Sequence, residues 1–322
     1  MKIDVHAHLM GRAYYDAMQK MAGVTSQTNR YGRGLFKNGE TVININDEWL
    51  DEAHHVREMD KRGIDLSIVT LTTPNLYVFP KEVQAEAARI ANDEAIERAR
   101  KYKGRILACA SLPLEDVPAA VKEIERVGEM KEVVGISVGS NVNGVPLSDA
   151  RFEPVWAAID RHRMAVVEHP NFPTFAKDLP EYNLALMMGF YFDTQICITR
   201  MIVNGVFARY PNMKFIVAHT GAGMLAIMHR LSRIPNNYPD AQAKMQGKGF
   251  EEYAKNLYYD PCAVGQNTLM LAHDYLGREH MMFGTDYPYT PLTPSYVEEL
   301  PISAGDKKAM LGDNAERVFG LG

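Results

Sequence analysis

The segment Met1-Lys2-Ile3-Asp4-Val5-His6-Ala7-His8 places two histidines two positions apart in an apolar run. On a β-strand, residues i and i+2 point to one face, so both imidazoles aim the same way. Imidazole is a common ligand for zinc and other borderline metals. Two more histidines and an aspartate stand in similar places. His169 ends the run Met164–His169, His219 ends Lys214–His219, and Asp286 follows Met281–Thr285. Alone, each reads as a satisfied polar residue. Their coincidence at the carboxyl ends of four predicted strands points to one shared site. His54, His55, His162, His229, His273 and His280 fall on predicted helices or connections and read as ordinary surface or packing histidines.

Short apolar runs must position these groups. Eight are read as strands: Lys2–His6, Asp65–Leu71, Arg105–Ala110, Glu132–Val138, Met164–His169, Lys214–His219, Asn256–Asp260 and Met281–Thr285. They are rich in Val, Ile and Leu without clean alternation, as expected of strands covered on both faces. Helical patterns lie between them, at Asp47–Arg62, Lys81–Tyr102, Asp116–Gly128, Phe152–Arg163, Phe192–Tyr210, Gly221–Arg233, Ala263–Leu276 and Asp306–Phe319. Alternation of this kind predicts an α/β fold, a (β/α)8 TIM barrel, with residues 1–322 as one domain. No GxGxxG follows the first strand, so the dinucleotide-binding open sheet loses its main support. Two connections are longer than a barrel needs. Leu9–Asn46 follows strand one and Pro170–Tyr191 follows strand five, both at strand carboxyl ends. They are read as long active-site loops.

Composition excludes other classes. With 35 basic against 40 acidic residues and a net charge of -5, the chain lacks the basic excess of a nucleic-acid binder. No apolar run reaches about 18 residues, so no transmembrane helix is expected. The N-terminus does not read as a signal peptide, because Asp4, His6 and His8 interrupt its apolar run. Cys109, Cys197 and Cys262 are far apart and form no CxxC pair, which suits buried free thiols. A cytoplasmic protein is the expectation.

His6-x-His8, His169, His219 and Asp286 together resemble the amidohydrolase superfamily. The likeness is closer to its branch that includes 2-amino-3-carboxymuconate-6-semialdehyde decarboxylase. NGVFARYPNMKFIVAHTGAGM, from Asn204 to Met224, resembles that branch around its sixth strand. REMDKRGID, from Arg57 to Asp65, and PLSDARFEPVWAAIDRHRMAVVEHP, from Pro146 to Pro170, extend the match. It spans nearly the whole chain and is not specific for a substrate.

The resemblance implies one divalent metal, zinc by default with manganese as the other fit, held by His6, His8, His169 and Asp286. His219 would sit beside it and act on bound water or substrate. Three neutral imidazoles and a carboxylate leave a net positive site that lowers the pKa of bound water toward ~7. His219 suits acid–base work near neutrality. Asp286 reads as a ligand or as the acceptor of the water proton. Two-metal members place a bridging carboxylated Lys or a Glu at the end of strand four. Here that strand reads EVVGISVGSN, with no Lys after Val133, so one metal is expected. Glu168 faces away from His169 and reads as structural.

In the decarboxylase branch, an Arg at the place of Arg230 reaches a neighbouring subunit's site and grips a substrate carboxylate. A guanidinium fork suits this. The expectation is a homodimer or larger homo-oligomer. A second substrate-gripping Arg of that branch has no match in TVININDEW. Arg30, Arg33 and Lys37 are the candidates to replace it. Tyr14, Asn75, Tyr77, Phe190, Tyr191 and Tyr287 are expected to line a pocket for a flat, small-molecule substrate. The resemblance implies decarboxylation of a small unsaturated or aromatic carboxylic acid through a metal-bound water and the His219/Asp286 pair. The alternative is a hydrolase or hydratase of a small amide, lactone or ring-cleavage product.

Overall fold

Apolar runs become strands wherever both faces are covered, and the structure, a computed structural model, shows where that holds. It describes residues 1–29, 32–38, 40–262 and 264–321. In chain order the strands are β1 (Ile3–His8), β2 (Thr25–Asn29), β3 (Gly32–Lys37), β4 (Glu40–Ile45), β5 (Leu66–Thr70), β6 (Ile106–Ser111), β7 (Val133–Gly139), β8 (Asn141–Val142), β9 (Val145–Pro146), β10 (Ala165–His169), β11 (Lys214–Val217) and β12 (Tyr258–Tyr259). The main sheet runs β1-β5-β6-β7-β10-β11-β12 and is parallel throughout.

An eighth segment closes this sheet into a (β/α)8 barrel. The Met282 amide donates to the Tyr259 carbonyl at 2.9 Å. On the other side Val5 donates to Phe283 at 3.0 Å and His8 to Tyr287 at 2.8 Å. The regular strand expected at Met281–Thr285 is corrected to isolated bridges at Tyr259–Met281 and Ala7–Tyr287. Crowding is the reason. A Cβ on Gly284 would lie 2.7 Å from His6 Cβ and 3.0 Å from Asp260 Cβ, and Asp286 adopts φ 57°. A continuous ladder does not accommodate that conformation.

The barrel interior is filled by Ile3, Val5, Leu66, Ile68, Cys109, Ala165, Val167, Ile216 and Met282, with Val134 and Tyr258 packed against them. Ala315, Val318 and Phe319 of the closing helix join the same cluster. A larger apolar layer, including Trp156, Phe152 and Phe215, lies between strands and helices.

One bulge in β1 bears directly on the site. Asp4 pairs with Ser67 and Ala7 with Val69, so three steps along β1 match two along β5. Strict alternation would put His6 and His8 on the face opposite Ile3 and Val5. The extra residue resets the phase, and Ala7 instead packs outside with Val69, Ile106 and Tyr287. Bulges re-aim side chains in this way.

Local signals set the helices. Glu52–Arg62 starts where the Asp51 carboxylate accepts from Ala53 N at 2.9 Å, and it stops at Gly63, φ 70°. Val117–Val127 is capped by Asp116, which accepts from Ala119 N at 3.2 Å. Lys81–Lys101 is a long Ala- and Glu-rich helix. The helix expected at Phe192–Tyr210 starts at Phe190 and breaks at Gly205, giving Phe190–Val203 and Val206–Arg209. The stretch expected as one helix at Gly221–Arg233 is two short turns, Met224–Ile227 and Met228–Leu231.

The first long connection is not a bare loop. It folds as the helix Arg12–Met21 and the antiparallel sheet β2-β3-β4. The connection after β10 is built of short turns before the helix at Phe190.

Candidate active site

The carboxyl ends of the barrel strands bring His6, His8, His169, His219 and Asp286 into one buried cluster. Ligand atoms of His6, His169, His219 and Asp286 all lie within 4.8 Å of one another. His8 Nε2 is 3.0 Å from Asp286 Oδ1, His6 Nε2 is 3.6 Å from it, and His169 Nε2 is 3.9 Å from it. The other carboxylate oxygen, Oδ2, is 3.7 Å from His219 Nε2. The ring centroids of His6, His8 and His169 are 4.5–5.0 Å apart.

Three of the four imidazoles are held from behind, whereas His219 Nδ1 is buried without a hydrogen-bond partner among the described residues. His8 Nδ1 lies 2.9 Å from Thr70 Oγ1, on β5. His169 Nδ1 lies 2.9 Å from the Pro170 carbonyl, so that nitrogen carries the proton. His6 Nδ1 lies 2.9 Å from Asp260 Oδ2. In all three, the nitrogen that remains, Nε2, faces Asp286. The carbonyl behind His169 and the carboxylate behind His6 are the kind of backing by which proteins orient metal-binding histidines, and the Thr70 hydroxyl fixes His8.

His219 differs from expectation in its backbone. β11 ends at Val217, and His219 stands in a turn with φ 55°, followed by Thr220 at φ 55° and Ala222 at φ 53°. Left-handed non-glycine residues cost on the order of 1–3 kcal/mol each and tend to mark functional sites. The turn stacks the His219 ring on Tyr191, with centroids 5.0 Å apart and planes at 28°.

Burial and charge set the protonation states. Burial, aided by the nearby His8, pushes His169 down to about 3. Burial also lowers His8, against the pull of Asp286. Burial alone would raise Asp286, but its bonds to His169, His219 and His8 together hold it well below the usual carboxylate range. For His6, burial is outweighed by Asp260, which raises it to about 9. Two neutral imidazoles and an ionised carboxylate therefore meet here, with His6 presenting Nε2 against them.

A cavity of about 470 Å³ opens above the cluster, with His169, His219 and Asp286 in its lining. Val42 and Ile43 of β4 form one wall. Phe172, Leu186, Met187, Phe190 and Tyr191, from the connection after β10, form another, and Tyr289 and Thr290 complete it. Both long connections thus contribute to the cavity. No Lys or Arg lines it among the described residues.

Several expected residues fall elsewhere. Tyr14 is fully buried and donates to the Pro74 carbonyl at 3.1 Å, so it belongs to the core beneath the first helix. Tyr287 turns outward against His55, 4.7 Å between centroids, under the Arg62 guanidinium. Its neighbour Tyr289 faces the cavity instead. Asn75 and Tyr77 line an adjoining recess with Asn141 and Asn143. Arg33 is engaged with Asp47 at 2.8 Å, and Lys37 donates to the Val78 carbonyl. Arg30 lies outside the described residues. Arg230 is exposed and has no ion pair among the described residues. Glu168 turns to the helix layer, accepts from Thr194 Oγ1 at 2.8 Å, and burial raises it to about 8.

Asp260 was not singled out from the sequence, yet it is wholly buried at the centre of the backing network. The signal was present, because it ends the predicted seventh strand on the same rim as the other ligands. Asp4 was also passed over. Its carboxylate accepts from His6 N at 3.1 Å, Thr285 N at 3.0 Å and Thr285 Oγ1 at 2.6 Å, tying β1 to the closing segment.

Known proteins share the family and the fold of this chain. The family model described as amidohydrolase matches residues 3–321. A 2-amino-3-carboxymuconate-6-semialdehyde decarboxylase of Dictyostelium discoideum is 26% identical, over 100% of this chain and 92% of its own. A gamma-resorcylate decarboxylase of a Polaromonas species is 29% identical, over 83% of this chain and 86% of its own. The fold matches a 5-carboxyvanillate decarboxylase from Novosphingobium aromaticivorans, solved with manganese and 4-hydroxy-3-methoxy-5-nitrobenzoic acid. That match has a TM-score of 0.83 and 21% identity, over 100% of this chain and 96% of the other.

Proposed function

Given that the chain belongs to the amidohydrolase family, we propose that it is a divalent-metal-dependent decarboxylase of a small unsaturated or aromatic carboxylic acid. The observation that carries this reading is the convergence of His6, His8, His169, His219 and Asp286 at the floor of an apolar cavity. The residues fit a cation. His6 Nε2 is sealed from water, has no hydrogen-bond partner, and faces the Asp286 carboxylate. A buried polar atom of that kind normally has a partner.

His6, His8, His169 and Asp286 would hold the ion. Zinc suits the ligand set, and manganese is supported by the relative of the same fold solved with it. When bound, the cation would supply a Lewis acid for the oxygen groups of the substrate. The aromatic walls at Phe172, Phe190, Tyr191 and Tyr289 suit a flat ring or diene. His219 is the proton donor. As the bond to the carboxylate breaks, its electron pair stays on the substrate carbon. That carbon takes the proton from His219 Nε2, and CO2 leaves. Asp286 Oδ2 lies 3.7 Å from that nitrogen and orients it toward the cavity floor. Arg230 of a second copy would grip the carboxylate side of the substrate, because the chain's own described cavity lining supplies no cation.

The test is CO2 release from a panel of carboxylated muconates and benzoates by protein loaded with Zn2+ or Mn2+. CO2 in step with substrate loss supports the reading. Uptake of water without CO2 overturns it in favour of a hydrolase or hydratase.

A further inference from the structure

Asp260 touches both halves of the candidate machinery. Its Oδ2 lies 2.9 Å from His6 Nδ1. Its Oδ1 accepts from His219 N at 3.2 Å and from Cys262 N at 3.2 Å, and takes the Cys262 thiol at 2.7 Å. Its backbone carbonyl accepts from Thr220 N at 2.7 Å and Thr220 Oγ1 at 2.9 Å. One residue thus ties the His6 ring to the left-handed turn that carries His219. A turn with five successive positive-φ residues, three of them not glycine, stays in place only if its surroundings over-determine it.

We infer that Asp260 is the positioning residue of this site, fixing the tautomer of His6 and the turn of His219 at once. A carboxylate is an acceptor only, so the proton of neutral His6 must reside on Nδ1. Its Nε2 lone pair is then free to face a cation. The inference rests on the reading that the histidine cluster binds a divalent cation.

Asp260→Asn has nearly the same volume and separates this role from packing. The amide oxygen can still accept from His219 N, but its NH2 then donates to His6 Nδ1. That forces the proton onto Nε2, where a cation would have to displace it. Loss of such backing groups typically weakens metal binding about 10- to 100-fold. Asp260→Asn is therefore expected to weaken Mn2+ and Zn2+ binding at least ~10-fold, measured by competition with a chromogenic chelator. Its circular dichroism should match the wild type. Cys262→Ala is the control: it removes the thiol that lies 2.7 Å from Asp260 Oδ1 and 3.1 Å from His6 Nδ1, adds no new donor or acceptor, and leaves the carboxylate in place, so it should keep wild-type affinity. Equal weakening in Asp260→Asn and Cys262→Ala would reduce Asp260 to packing and overturn the inference. So would unchanged affinity in Asp260→Asn while the wild type binds one ion per chain. Failure of the wild type to bind any divalent ion would overturn the underlying metal reading instead. If Asp260→Asn does not fold, Zn2+-loaded wild-type protein labelled with 15N-histidine still decides the matter. A proton directly bonded to His6 Nδ1 is expected, and one on Nε2 would sink the proposal.

Discussion

At the scale of single residues, the proposed function divides the site into groups that would hold a metal and a group that would transfer a proton. His6→Ala or Asp286→Ala should strip the bound metal and abolish turnover together, read as metal content per chain and kcat. His219→Ala should keep the metal and lose about 10²- to 10⁴-fold in kcat, the usual contribution of a positioned acid or base. Loss of metal in His219→Ala would move that histidine into the coordination sphere, which its place within 4.8 Å of the other ligand atoms also allows. His6, His8, His169, His219 and Asp286 were legible because each type is chemically unusual at the end of an apolar run. Asp260 was not, because an aspartate at a strand end is also an ordinary turn residue. Its burial and its contacts with His6, His219 and Thr220 exist only once the barrel closes.

At the scale of elements, the bulge in β1 and the left-handed turn after β11 aim the imidazoles. Neither follows from a hydrophobic pattern, which records the face of a strand and not its phase slips. The helix Glu52–Arg62 shows a second hidden feature. Of the two expectations for His55, surface or packing, the structure shows packing: it is buried against Tyr287 with Nε2 3.1 Å from Ser67 Oγ. Burial, then the nearby Arg98 and Arg62, press it down to about 3. The unfolded chain therefore binds this proton more tightly, and stability rises with pH across the interval from about 3 to 6.5. The contribution is complete above pH ~6.5 and fades as acid approaches the folded value. Thermal unfolding of the wild type should weaken below that pH more steeply than that of His55→Gln. Parallel curves for the two proteins would remove His55 from the account.

At the scale of the whole molecule, the site is built from the ends of the chain, since β1 and the segment at Asp286 close the barrel side by side. Arg230 belongs to this scale too. It is exposed, one turn after Ile227, which is 38% exposed, and it has no ion pair among the described residues. The proposal that it serves a second copy predicts a sedimenting species of at least two chains. A charged hydrogen bond contributes about 1.5–3 kcal/mol, so Arg230→Ala should raise KM about 10- to 100-fold with thermal stability unchanged. A monomer with full activity would exclude the arrangement. Among the described residues, no helix is long and apolar enough to cross a membrane.

The sequence by itself determined the order of strands and helices, the barrel they form, and five of the six polar groups at its mouth. Those depend on local periodicity and on residue type, which need no partner to be read. Tertiary structure decided what the patterns do not encode. It turned the first long connection into a helix and a three-stranded sheet that lends Val42 and Ile43 to the cavity. It moved Tyr14 into the core and Tyr287 to the outer face, putting Tyr289 and Tyr191 at the cavity instead. It also set Asp260 between His6 and His219, 254 and 41 residues from them in sequence. Burial, side-chain phase and long-range hydrogen bonding arise only when distant segments share one interior.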